Sequence, residues 1–190
     1  MTGFGSIAAF ESVENLQTGY HCAASDLASS RRSMRRVTMN PKKTLSGIQA
    51  GISGEYFVAA ELSRRGYVAS LTLRNTRGID VLASNADATK SVGIQVKTCQ
   101  WVEPVWLLNE KAEADSAENL FYVFVCLPQT GAPSFYVVPQ RVVATQVRDS
   151  HQRWLATPGR GGRPHRDNPN RKFGDPNGVY RDRWDLLGLD

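Results

Sequence analysis

A helix-period segment, three Val/Ile-rich runs broken by turn residues, an irregular or helical link, then a continuous apolar run with its return strand and a closing helical segment follow one another along the chain. That succession predicts an α/β domain with a central mixed sheet flanked by helices, in the order α-β-β-β-α-β. At 190 residues, with 41% hydrophobic and 22% charged residues, the chain can bury one real core and is short for two. The simplest organisation is a single domain over 44–190, preceded by a weakly patterned segment over 1–43.

The first 43 residues are rich in Ser, Ala and Gly and end in a run containing Arg31, Arg32, Arg35 and Arg36. They read as mostly disordered. Two accounts stay open: translation starting at Met34 or Met39, or a basic arm that tracks phosphates. The formal net charge of +5 is uneven. Six basic residues face three acids over 1–43, ten face ten over 44–157, and seven face five over 158–190. The basic excess therefore lies at the ends, where it suits either solubility or nucleic acid.

Ser46-Gly47-Ile48-Gln49 has the form of a capping box, so a helix is expected from 46 to about 65, stopping at Gly66. Ile48, Ile52, Glu55, Ala59 and Leu62 follow the four-three-four-three step of one helix face, which places Glu55 inside an apolar stripe. A carboxylate there needs a partner, a proton or a metal. Gly51 and Gly54 weaken a helix interior and hint at close backbone approach.

Strands are expected at 67–74, 78–84 and 91–101, with turns at 75–77 and around Asn85-Ala86-Asp87. The link over 103–119 reads as a short strand at 105–108 followed by a short polar helix at 110–118. Residues 120–127 form an apolar run suited to a strand buried on both faces. A strand at 134–138 pairs back, and Pro139 opens a helix to about 155, with Val142, Val143, Val147 and Trp154 on its packing face. Residues 158–178 are rich in Gly, Pro, Arg and Asn and read as a long loop. Tyr180, Trp184, Leu186 and Leu187 then look like an anchor onto the body.

Chemistry gathers in residues 78–97. Alternation along the third strand puts Gln95 and Lys97 on one face and Ile94, Val96 and Thr98 on the other. If Asp80 lies near the end of the neighbouring strand, an acid, an amide and an amine converge on one spot. Cys22, Cys99 and Cys126 have no metal-ligand spacing and read as reduced thiols. His21, His151 and His165 lie too far apart for a zinc pair. Trp101 and Trp106 suit core packing or base stacking, and Arg74 and Arg77 flank the turn before Asp80, where they suit either a phosphate grip or a solvated turn charge. No apolar run approaches the length of a membrane span, and no secretory signal is seen, so a cytoplasmic protein is expected.

Glu55 on a helix, Gly78-Ile79-Asp80 on a strand and Gln95-Val96-Lys97 on the next resemble the PD-(D/E)XK nuclease superfamily, which includes many restriction enzymes and the Holliday-junction resolvases. The resemblance covers 46–101 by motif and reaches about 155 by element order. It implies a restriction endonuclease-like core and a Mg²⁺-dependent endonuclease acting on DNA. It further implies Mn²⁺ as a substitute metal and a homodimer, since many relatives work as dimers. By that likeness Glu55, Asp80, Gln95 and the Val96 carbonyl hold the metal, and Lys97 acts beside the attacking water. The family's usual acid is Gln95 here, which offers an oxygen but no charge. A nucleic-acid-binding protein of the same fold with a weakened site is the alternative.

Overall fold

In the computed structural model, the described part of the chain, which starts at residue 44, belongs to one compact unit. Its described residues are 44–73, 78–101, 103–114 and 117–190. The expectations for 1–43, Arg74 and Arg77 lie outside them. The observed architecture is α/β, with a mixed five-stranded sheet in the order β1 (Val68–Leu71), β2 (Val81–Ser84), β3 (Ser91–Cys99), β5 (Leu120–Cys126), β6 (Ser134–Pro139), and a two-stranded ribbon of β4 (Val105–Asn109) and β7 (Asn170–Gly174).

Helix α1 (Gly47–Arg64) starts at the capping box: Ser46 Oγ accepts from the Gln49 amide and the Gln49 side chain accepts from the Ser46 amide, both at 3.2 Å. Gly66, with φ 88°, follows its end. The chain entering α1 is clamped to the end of β3, because the Gln100 amide group exchanges two hydrogen bonds with the Leu45 backbone, at 2.8 and 2.9 Å.

The buried face of α1 differs from the expected stripe. Ala50, Gly54, Val58 and Leu62 are buried, Ile48 is 69% exposed, and Glu55 is only partly buried at the margin. The reason is size: a Cβ on Gly54 would stand 1.9 Å from Thr98 Oγ1, so a small residue lets the helix backbone close onto β3. Gly51 meets nothing comparable.

Strands β1 (Val68–Leu71), β2 (Val81–Ser84) and β3 (Ser91–Cys99) form an antiparallel meander. Strand β5 (Leu120–Cys126) lies parallel to β3 and antiparallel to β6 (Ser134–Pro139). The first three strands are shorter than expected, although the Thr72 amide still donates to the Asp80 carbonyl beyond the last paired residues of β1 and β2. Helix α2 (Gln140–Ala156) buries Val143, Ala144 and Val147, while Val142 packs at the margin and Trp154 stays 38% exposed.

Two corrections concern the links. Between β3 and β5 stand strand β4 (Val105–Asn109) and a 3-10 turn, Glu110–Glu113, in place of a polar helix reaching 118. The supposed loop over 158–178 contains β7 (Asn170–Gly174), which pairs with β4 because Arg171 and Phe173 point inward while their neighbours face out. Arg171 is buried and tied to Glu113 and to the Asn168 carbonyl, so a charge occupies one of the two inward positions.

The core lies on both faces of the sheet. Val58 and Leu62 of α1 pack with Val81, Ile94, Val96, Val123 and Val137, joined by Trp184, Leu187 and Leu189 from the chain's last residues. On the other face Trp106, Phe124, Phe173 and Tyr122 form an aromatic cluster under α2. Cys99 and Cys126 face each other across β3 and β5 as free, buried thiols, sulfurs 3.4 Å apart. No helix among the described residues is long and apolar enough to cross a membrane.

Candidate active site

The site begins where β2 and β3 separate. The last paired residues are Val81 and Ile94, and just outside that pair Asp80 is held on three sides. Its amide donates to the Ile94 carbonyl at 2.8 Å, its carbonyl accepts from the Thr72 amide at 3.0 Å, and its carboxylate accepts from the Val96 amide at 2.7 Å. Thr72 Oγ1 also donates to the Ile79 carbonyl at 2.5 Å, pinning the preceding residue. Thr72 was not marked by the sequence pattern; its position at the end of a strand gave no chemical signal.

Strand amides point along the sheet toward their neighbours, so the bond to Val96 sets the Asp80 carboxylate near the plane of the sheet, where a backbone carbonyl of β2 would otherwise lie. The Val96 carbonyl leaves β3 on the same side as its amide, beyond the last residue paired with β2. A carboxylate oxygen and a backbone oxygen thus meet the same opening.

The other members approach from the two faces. Ile94 and Val96 pack on the α1 side, so alternation carries Gln95 and Lys97 to the opposite side. Glu55 belongs to α1. Glu55 and Asp80 line one cleft of about 320 Å³ together with Gly51, Ile52, Thr72 and Ile79. Gln95 and Lys97 line a second cavity of about 770 Å³ with Ile79, Lys111, Tyr122 and Gln140. The four side chains do not share one enclosed pocket.

Ile79 forms a wall of both spaces, its side chain lying over Gly93, where a Cβ would stand 3.1 Å from Ile79 Cδ1. The negative charge of Asp80 also reaches into the second cavity. Tyr122 has its phenol raised above the ordinary value, first by burial and then by Asp80. Ile79 is thus the residue common to the two spaces, and Asp80 lines the first while acting on the second only through its charge.

The candidate donors are all oxygen, two carboxylates, the Gln95 amide and the Val96 carbonyl, although the side chains among them line two spaces rather than one. That chemistry fits Mg²⁺, which prefers hard oxygen ligands and keeps waters in its remaining positions. Among the described residues no three His, Cys, Asp or Glu side chains are grouped as a metal site. With Gln at 95, only two acids remain to contribute.

The other sequence candidates fall elsewhere. His151 bonds Asp167 at 2.8 Å and stacks with Trp154, which also stacks on His165, so both histidines fasten the 157–168 segment to α2. Trp106 is a core residue donating to the Val125 carbonyl at 3.1 Å, whereas Trp101 is half exposed and donates to the Val105 carbonyl.

No protein-family model matches the sequence, and no curated protein matches it. Among solved structures, the chain aligns with a Holliday junction resolvase from the archaeal hyperthermophile Archaeoglobus fulgidus at 17% identity and a TM-score of 0.40, covering 74% of this chain and 97% of that one. It also aligns with a bacterial homing endonuclease at 12% identity and a TM-score of 0.46, covering 76% of this chain and 92% of that one. At those identities and scores, nothing about activity passes from either protein to this chain.

Proposed function

We propose that the chain is a Mg²⁺-dependent endonuclease that hydrolyses phosphodiester bonds in DNA, with Mn²⁺ able to replace Mg²⁺. The observation that supports this most is the Asp80 carboxylate bonded to the Val96 amide at the opening between β2 and β3, with Gln95 and Lys97 on the adjoining cavity. Asp80 and the Val96 carbonyl would hold the metal at the opening, with Glu55 having to reach it from the cleft on the α1 face and Gln95 from the cavity on the other; when bound, the metal supplies a water of lowered pKa and offsets phosphate charge. The Lys97 ammonium orients that water and steadies the negative charge that grows on the phosphate. The Val96 amide fixes the Asp80 carboxylate by donating to one of its oxygens. Arg74 and Arg77 are assigned to the DNA backbone.

The test compares the wild type with Lys97→Ala and Asp80→Asn on linear, nicked and branched DNA with Mg²⁺. Cleavage by the wild type should fall at least about 100-fold in either variant, the range seen when a preorganised charge is lost from a transition state. A thermal melt should rise on adding Mg²⁺ for the wild type and not for Asp80→Asn. Equal cutting by all three proteins would overturn the assignment; binding without cutting would leave a DNA-binding protein of this fold.

A further inference from the structure

The second cavity contains a polar group that the assignments above leave unused. Tyr122 stands directly opposite Gln95 in the parallel β3-β5 pair, so both side chains leave the same face. It is only 5% exposed, with its ring stacked on Phe124 at 5.3 Å between centroids and an interplanar angle of 9°. Among the described residues its hydroxyl makes no hydrogen bond, yet Tyr122 lines the cavity with Gln95, Lys97 and Lys111.

The ring is buried but the hydroxyl opens on the cavity, where it is available as a donor to a group bound there. The surroundings specify what partner would suit. Lys97 and Lys111 supply two positive charges. Gln140, the first residue of α2, reaches the same space, and that helix begins at Pro139 with no side-chain cap and no acid in its first turn. Its free amides favour an anion.

We propose that the Tyr122 hydroxyl is a phosphate-binding donor of this site, donating to a non-bridging oxygen of the DNA backbone held between Lys97 and Lys111. The inference rests on the nuclease reading and adds a substrate contact to it. The hydroxyl stays protonated throughout, since burial and the charge of Asp80 both hold its pKa up.

Tyr122→Phe tests it, because phenylalanine keeps the ring and its stack on Phe124 and removes only the O–H. In the absence of DNA, the urea midpoint of the full chain should be unchanged or raised. Affinity for a labelled DNA duplex, measured by fluorescence anisotropy in EDTA, should fall about 10-fold, as expected when a hydrogen bond to a charged oxygen is lost. The slope of affinity against salt should stay the same, since no charge is removed, whereas Lys97→Ala should lower it. A clear loss of stability would overturn the proposal, because the hydroxyl would then be bonded within the free protein. Equal affinity of Tyr122→Phe and a DNA-binding wild type would overturn it while leaving the nuclease reading intact. A wild type that binds no DNA would overturn both.

Discussion

Gly54 decides how close α1 comes to β3, and a single methyl group should show it. The obstacle is Thr98 Oγ1, carried on a β-branched side chain that is stiff in a strand, so it cannot swing away freely. Gly54→Ala should therefore cost about 1–3 kcal/mol by overpacking, against the small gain that alanine brings to an ordinary helix position. Chemical denaturation measures it, and Gly54→Ala/Thr98→Ala should recover part of the loss if the clash is the cause. A stabilised single variant would refute the close approach. The same glycine explains why the α1 stripe was misphased in the sequence: Ala50 and Gly54 are buried but barely hydrophobic, while Ile48 is strongly hydrophobic and exposed. The shared face of Gln95 and Lys97 was legible because strand alternation is strict, whereas the place of Asp80, just outside β2, was not given by it. Tyr122 was not, since nothing in a continuous apolar run marks one member, and its place opposite Gln95 depends on a parallel pairing that local sequence does not encode.

Helix α1 was the most legible element because its start is local chemistry, a Ser and a Gln three residues apart, and its stop is a glycine. Strand β7 was the least legible: Gly, Pro and Arg surround it, and one of its two inward side chains is the guanidinium of Arg171. The end of α1 also carries a pH signature. Glu61 bonds Arg64 and Arg65, and the Arg64 hydrogen bond is the main cause holding its carboxyl below the ordinary value of 4.5. A carboxylate with a depressed folded pKa contributes stability in full above its unfolded value and loses it as pH falls through the folded one. Glu61→Gln should thus be slightly less stable at neutral pH, by under about 1 kcal/mol for a surface pair, with the gap to wild type closing between about pH 5 and pH 3. Urea midpoints of both proteins across that range check the sign; a gap that widens on acidification would reverse it.

Across the whole molecule, the last turn of chain completes the core that the first helix begins. Trp184, Leu187 and Leu189 join Val58 and Leu62 of α1 in one apolar cluster, although more than a hundred residues separate them in sequence. Tyr136 bridges to Arg181, guiding the chain past β6, and Trp184 then packs on Phe135 at 5.5 Å while the Arg65 guanidinium lies over its indole at 5.2 Å. The anchoring role was readable from apolar residues after a Gly/Pro-rich stretch, but the partners were not, because they come from the far end of the domain. Trp184→Ala should cost about 3–5 kcal/mol, a large share of the 5–15 kcal/mol that a domain usually has. Trp184→Phe should cost much less, since the indole N–H is buried without a hydrogen-bond partner among the described residues and its loss removes no bond. Val179→Ala, at a site 54% exposed, serves as the neutral comparison. Equilibrium unfolding of the three variants measures the ordering. If Trp184→Ala matched Val179→Ala, the closing segment would be a passive tail, and the core would have to be complete without it.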